Sequence, residues 1–435
     1  MLTPPVIGSL GLLALFIFMA MRMPVGISFL LVGCVGIGSL TNWNIAFSAL
    51  ARIPYTWASA YVFSCVPLFI LMGMVFSKSG IAADLYRAAH HWLGRLPGGL
   101  LLASIAGCGG FAAVSGSSTA GAAAMGAICY PEMRKYDYDK GLAAGAIAAG
   151  GTLGIMIPPS LGFIVYGILT EQSIGKLFMA GVAPGLLELI FFMVAVVILV
   201  KLKPGLAPVS EFKITWRQKF NSLIDVWPVL AIFLMIIGGI YLGVFTPIEA
   251  GGIGAAGSII LSICMRRFTW KGFTKACLET IHITAMIFLL FMGAMVFNIF
   301  MTLSHLPQSI SVLFSSIGSP QLLVIFILLL FFPLGCFLDV NSMLILTLPL
   351  FLPSLKHAGI DLIWFGVLAV LCAEIAMLTP PVGMNVFVVK GVVKDVSLEK
   401  VFIGVIPFLV ANFILLVLLY LIPQLSLFLP RLMGG

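Results

Sequence analysis

A chain of 435 residues, 61% hydrophobic and 9% charged, with a mean hydropathy of +1.19, is excluded from the soluble globular class. It reads as a polytopic membrane protein set in a lipid bilayer. The net charge of +8 does not mark a nucleic-acid binder, because Lys and Arg are confined to the connections between apolar runs, the pattern of orientation in a membrane.

In chain order, apolar runs long enough to cross a bilayer lie near 6–22, 25–41, 61–77, 141–170, 182–200, 228–245, 248–265, 279–301, 361–389 and 401–422. The runs at 141–170 and 361–389 are broken in the middle. The first run lacks a positive leader, so it reads as a span rather than a cleavable signal. Residues 80–96 place Ile81, Leu85, Ala88, Ala89, Trp92 and Leu96 on one helical face and Asp84, Arg87, His91 and Arg95 on the other. That is expected to be an amphipathic helix lying at the interface. Adjacent His90 and His91 point about 100° apart on a helix, so a solvated or headgroup-facing pair is expected rather than a metal site. The eight cysteines form no CxxC pair or Cys/His cluster and read as small packing residues.

Two apolar segments, near 100–130 and 321–353, are too long for one crossing and carry breakers midway; both are expected to be re-entrant hairpins. The first breaks at Ser115-Gly116-Ser117-Ser118-Thr119, and the crossing after it breaks at Gly151-Thr152-Leu153-Gly154 and Pro158-Pro159-Ser160. Pro158-Pro159 recurs as Pro380-Pro381, a shift of 222 residues, which also lays Ser117 on Asp339 and Thr119 on Asn341. A shift of 223 lays Gly181-Val182-Ala183-Pro184 on Gly404-Val405-Ile406-Pro407, and Pro24 on Pro247. The expected architecture is therefore all-α with an inverted-topology repeat, two re-entrant hairpins and two broken helices. Residues 1–200 form the first repeat, 201–227 a cytoplasmic loop and 228–435 the second repeat. With the N-terminus outside, every Lys and Arg except Arg52, Lys176, Lys356 and Arg431 falls in a cytoplasmic segment, and both termini face outward.

Broken helices at membrane depth are tolerated where the freed backbone is buried in protein or lines a polar cavity, and carriers use such breaks to hold cations and anionic substrates. Four segments carry that reading: Ser115–Thr119, Gly151–Ser160, Cys336–Ser342 and Thr379–Asn385. Freed carbonyls with Ser, Thr and Asn oxygens supply the hard ligands that sodium takes. Asp339, a carboxylate inside an apolar hairpin, is costly unless paired, hydrated or bound to a cation; it reads as functional, as a cap on the returning half-helix, or both. Ser115, Ser117 and Ser118 also suit close helix packing, the double prolines also suit simple kinks, and Glu249 and Glu374 could carry protons or could cap and pair. No phosphate loop, H-E-x-x-H or G-x-S-x-G occurs, which disfavours an ATPase, a metalloprotease or a serine hydrolase.

The stretch GGFAAVSGSSTAGAAAMGAICYPEMRKYDYDKGLAAGAIAAGGTLGIMIPPS, with GCFLDVNSMLILTLPLFLP and LTPPVGMN, resembles the large membrane subunit of tripartite ATP-independent periplasmic (TRAP) transporters over essentially the whole chain. The resemblance implies a sodium-coupled secondary importer of organic acids, of the C4-dicarboxylate or sialic acid class, in the bacterial inner membrane. It implies an elevator motion of a domain carrying both hairpins, a separate small four-helix membrane subunit and a periplasmic solute-binding protein. It implies one sodium site near Ser115, Gly116, Ser117, Ser118, Gly151, Thr152, Gly154 and Pro158, and a second near Cys336, Asp339, Thr379, Pro380 and Gly383. Substrate would lie between the hairpin tips, near Ser115, Ser160, Asp339 and Asn341. No arginine is embedded there, so half-helix N-termini would supply the positive end. An autonomous carrier needing no binding protein, and a non-transporting scaffold or sensor, are the rival readings.

Overall fold

The computed structural model describes residues 3–208, 214–315, 319–335 and 338–433, and among these all extended regular structure is helical. The first half runs α1 (Pro4–Ala20), α2 (Val25–Leu40), α3 (Trp43–Ala58), a turn of 3-10 helix into α4 (Cys65–Lys78), α5 (Ile81–Leu93), α6 (Gly99–Ser115), α7 (Ser118–Lys135), α8 (Lys140–Met156), α9 (Leu161–Thr170) and α10 (Ile174–Leu202). The second runs α11 (Trp216–Tyr241), α12 (Pro247–Cys264), α13 (Trp270–Leu303), α14 (Leu306–Ser315), α15 (Pro320–Gly335), α16 (Val340–His357), α17 (Leu362–Ala376), α18 (Met384–Val392), α19 (Leu398–Leu421) and a short α20 (Gln424–Leu432). The element order of the first half thus recurs in the second. The exceptions are that α3 and α4 correspond to a single unbroken α13, and that α20 has no α-helical counterpart in the first half. At ~1.5 Å per residue, its 34 residues outreach the ~30 Å hydrocarbon layer, so its charged start (Lys271, Lys275, Glu279) has room to stand clear of lipid.

Among the described residues, six helices are long and apolar enough to cross a membrane, or seven if the pair α8 and α9, bent by 41°, counts as one broken crossing. The crossings expected at 6–22 and 25–41 are helices of 17 and 16 residues, at the short end of what a bilayer needs. Leu186, Ile190, Val194 and Ile198 of α10, and Ile406, Val410, Ile414 and Val417 of α19, form exposed apolar rows. Such rows suit hydrocarbon and would be costly in water. The apolar segment after residue 201 becomes helical earlier than the loop reading placed it. Thr215 and Gln218 form a reciprocal capping box that starts α11 at Trp216.

The centre of the molecule is α8, whose residues 141–156 are all buried. It is covered by α6, α7 and α10 from its own half and by α17, α18 and α19 from the other. Its Ala/Gly-rich sequence allows that approach, because small residues let backbones close in. A Cβ on Gly145 would stand 2.3 Å from the Gly404 carbonyl carbon, and one on Gly404 would stand 2.0 Å from the Gly141 oxygen.

The arm α5 departs from expectation. Trp92 and Leu96 of its expected apolar face are exposed, and Asp84 of its expected polar face is 3% exposed. Asp84 bonds Arg267, beyond the end of α12, and lies 3.6 Å from Arg87. Helices α6, α7 and α11 pack on α5, so protein rather than headgroups covers much of this helix. His90 is half-buried beside Tyr86, and His91 Nδ1 lies 3.2 Å from the Gln218 carbonyl. The histidines therefore serve packing and helix ends rather than standing free in a solvated pair.

Candidate functional site

Of the expected breaks, those at Gly116, Pro158-Pro159, Asp339 and Pro380-Pro381 are present, but the one expected at Gly151-Thr152-Leu153-Gly154 is not: α8 continues unbroken through these residues to Met156, its glycines serving close packing instead. Helix α6 ends at Gly116 with φ +58°, a left-handed conformation that glycine adopts without penalty. Ser117 then caps α7, its hydroxyl accepting the Ala120 N–H at 3.4 Å. The break between α8 and α9 spans 157–160 and contains a cis Pro158-Pro159 bond, and Ser160 caps α9 by accepting the Phe163 N–H at 3.3 Å. These two breaks pack on each other. The Leu161 N–H donates to the Gly116 carbonyl at 3.3 Å, and a Cβ on Gly116 would stand 2.9 Å from the Pro159 oxygen. Glycines on α8 let it close against the hairpin backbone: a Cβ on Gly154 would meet the Ser117 oxygen at 2.7 Å, and one on Gly151 would meet the Ser118 oxygen at 3.0 Å. Ser115 is buried and its Oγ has no hydrogen-bond partner.

The second half repeats the arrangement with different chemistry. Asp339 caps α16, accepting the N–H groups of Asn341 and Ser342 at 3.3 Å each and the Ser342 hydroxyl. The cap reading of Asp339 is therefore present in the structure, and Asn341 Oδ1 beside it is buried without a partner. Cys336 lies outside the described residues. Between α17 and α18 the chain passes through Thr379, whose hydroxyl donates to Ala376 O at 2.9 Å, a cis Pro380-Pro381 bond and Gly383 at φ +61°. Gly335, at the end of α15, approaches Ala376 so closely that a Cβ there would lie 2.2 Å from the Ala376 Cβ.

The two half-sites are joined. Asn385, fully buried on the first turn of α18, donates from Nδ2 to the Ser118 hydroxyl and to the Ala148 carbonyl at 3.3 Å, while its Oδ1 has no partner. The start of α16 reaches the start of α9, where a Cβ on Gly162 would touch Val340 at 3.6 Å. Four helix N-termini, those of α7, α9, α16 and α18, therefore gather with three orphaned buried oxygens on Ser115, Asn341 and Asn385. Positive helix ends favour anions, and freed oxygens favour hard cations.

Two expected residues point elsewhere. Thr152 is one position past Gly151, ~100° round the helix. Its hydroxyl is directed away from the break, 2.6 Å from Ala149 O and 3.1 Å from Glu188. Glu249 closes a capping box with Thr246 at the start of α12, which decides its role in favour of a cap. Sequence reasoning missed Glu188 and Asn412 altogether. A lone glutamate inside the 29-residue apolar α10 was the available signal. Among the described residues no group of three or more His, Cys, Asp or Glu could hold a metal ion.

Comparison with known proteins supplies the family. Residues 12–425 match the family model described as the DctM component of tripartite ATP-independent periplasmic transporters. The chain is 34% identical to the C4-dicarboxylate TRAP transporter large permease protein DctM of Pseudomonas aeruginosa, over 86% of this chain and 87% of that protein. It is also 34% identical to the sialic acid TRAP transporter large permease protein SiaM of Vibrio cholerae, over 95% of this chain and 96% of that protein. Its fold is similar to that of the YdaH transporter of Alcanivorax borkumensis, with a TM-score of 0.58 at 14% identity over 88% of this chain and 89% of the other. The chain thus belongs to the DctM component family of tripartite ATP-independent periplasmic transporters, as a multi-pass large permease subunit.

Proposed function

We propose that this permease imports an organic acid, of the C4-dicarboxylate or sialic acid class, driven by sodium. Its relatives in Pseudomonas aeruginosa and Vibrio cholerae carry those substrates in their names. The observation that carries the reading is the meeting of four helix breaks around the orphaned oxygens of Ser115, Asn341 and Asn385. The residues fit a hard monovalent cation. The carbonyls of Ser117 and Ser118 lie close against Gly154 and Gly151, each with a second lone pair for a cation; Asn341 and Asp339 stand at the other break. Sodium bound there would supply positive charge beside an anionic substrate. The chain itself aims the N-termini of α9 and α16 at the carboxylate and excludes lipid from it.

In this reading α6 with α7, and α15 with α16, are re-entrant hairpins entering from opposite sides, and the repeated element order is an inverted repeat with both chain ends on the periplasmic side of the inner membrane. The hairpins and broken helices move together as an elevator against α1 to α4 and α11 to α13. The joined half-sites support that rigidity. A small four-helix membrane subunit and a periplasmic binding protein complete the system, a reading supported by the tripartite, periplasmic description of the family.

Uptake of radiolabelled acid into proteoliposomes tests this, using the permease with its small-subunit partner and the binding protein, under an inward sodium gradient or its potassium equivalent. Uptake that requires both sodium and the binding protein is expected. Uptake indifferent to sodium refutes the coupling, and uptake without the binding protein refutes the tripartite assignment.

A further inference from the structure

The exposed apolar rows of α10 and α19 do not meet flush. Between them lies a cavity of about 360 Å³, whose walls include Val194, Ala195, Ile198, Val410 and Ile414. A second cavity, of about 390 Å³, continues the first past Leu199 and Pro407, which line both. It ends at Lys203, just beyond α10, and Lys400, on the first turn of α19. The two helices are clasped behind this groove. Phe192 and Phe408 meet edge to face with ring centroids 5.5 Å apart, and Glu188 Oε1 of α10 accepts a hydrogen bond from Asn412 Nδ2 of α19 at 3.1 Å. All four side chains are fully buried, so the spacing of the walls is set by the core.

The groove has two chemistries in sequence. Along the first cavity Val194, Ile198, Val410 and Ile414 are each about half exposed, a surface suited to hydrocarbon. At the far end the charge is basic. Lys203 and Lys400 are exposed, and neither forms an ion pair among the described residues. Asp139 lies beside them, but its Oδ1 is committed to capping α8, accepting the Leu142 N–H at 2.8 Å. Glu399 points about 100° away from Lys400 round the helix and does not line the cavity.

Length decides between occupants. From Phe191 to Leu202, the stretch of α10 along the first cavity, the helix rises ~17 Å at ~1.5 Å per residue. That is about half of the ~30 Å hydrocarbon layer. A partner's transmembrane helix would need a groove through both leaflets, whereas an acyl chain needs one leaflet's depth and a polar anchor at its end. Two lysines at that anchor complement a phosphate and favour a lipid of net negative charge.

We infer that the groove between α10 and α19 is a binding site for one anionic phospholipid, its acyl chain along Val194, Ile198, Val410 and Ile414 and its phosphate at Lys203 and Lys400. The site is independent of sodium and of the transported acid, and its binding is measurable without transport.

The test is native mass spectrometry of the full-length permease in detergent, titrated with dioleoyl phosphatidylglycerol or with the zwitterionic dioleoyl phosphatidylcholine. The first phosphatidylglycerol is expected to bind about thirtyfold tighter than the first phosphatidylcholine, roughly the worth of two lysines facing an anionic lipid. Lys203→Ala combined with Lys400→Ala is expected to abolish that preference. Lys271→Ala combined with Lys275→Ala, which removes the same charge at the start of α13, should keep it. Ala195→Trp, which fills the apolar end and leaves both lysines in place, should weaken the first adduct of either lipid; the exposed lysine variants decide the matter if it does not fold. Equal affinity for the two lipids overturns the inference, as does a preference that survives loss of Lys203 and Lys400 or falls equally with Lys271 and Lys275. An unchanged first adduct in folded Ala195→Trp also overturns it, because the chain then lies elsewhere. Loss of the first phosphatidylglycerol when the small subunit or a second permease is bound overturns it too, and gives the groove to that protein.

Discussion

The contact from Asn385 to Ser118 is the direct link between the two half-sites, and its worth can be measured. Asn385→Ala removes a hydrogen bond to a hydroxyl that is 1% exposed, and a weaker one to Ala148 O, which lies within α8. A net hydrogen bond contributes about 1 kcal/mol, and cycles between transmembrane helices average ~0.6 and reach ~1.7 kcal/mol. Asn385→Ala is therefore expected to destabilise the permease by about 1–2 kcal/mol, and Ser118→Ala by about 1 kcal/mol. The double variant should cost less than the sum by about 0.6–1.7 kcal/mol. Reversible unfolding in mixed micelles gives all four corners of the cycle. Additivity within ~0.3 kcal/mol would refute the claim that this bond couples the halves.

Three further outcomes follow from the packing. Gly145→Ala drives a methyl group into the Gly404 backbone, so it should lower stability by about 1–3 kcal/mol, read as a loss of monodisperse protein on heating. Arg267→Ala leaves Asp84 buried with only Arg87 at 3.6 Å, and unfolding should show a cost of at least ~2 kcal/mol, whereas Arg87→Ala should be near neutral. At the connection between α18 and α19, the Tyr130 hydroxyl, with Lys140 and Arg134, holds the Asp395 carboxyl below its ordinary value. A depressed carboxyl stabilises the fold above its unfolded pKa and loses that contribution as pH falls through the folded one. Asp395→Asn should therefore lower the melting temperature at pH 7, with the difference shrinking below about pH 4.

The breaks were legible because their chemistry is local. Gly116, Gly383 and the paired prolines impose a backbone direction on their immediate neighbours whatever packs around them, and the shift between the two halves is visible in the residues themselves. The same holds for the Glu249 cap, which needs only Thr246 three positions earlier. What escaped is long-range. Asp84 reads as one more charge on a polar face until Arg267 is brought to it from 183 positions away. Glu188 reads as an isolated charge in a span until α19 delivers Asn412. Helix α3 was missed because Asn44, Ser48, Arg52 and Thr56 recur every fourth position as a polar stripe, which interrupts the apolar run a crossing needs, and its place is set by packing against α2 and α13.

The burial of α8 by both halves also sets a timetable for biosynthesis. A ribosome adds roughly 5–20 residues per second, so Gly404 follows Gly145 by roughly 10–50 s. Throughout that interval the glycine face of α8 and the Ser118 hydroxyl have only lipid, water or an insertion factor for company. A nascent chain halted after α10 presents those surfaces uncovered and belongs to the quality-control proteases. The permease becomes a stable object only when the last fifth of its sequence has entered the membrane.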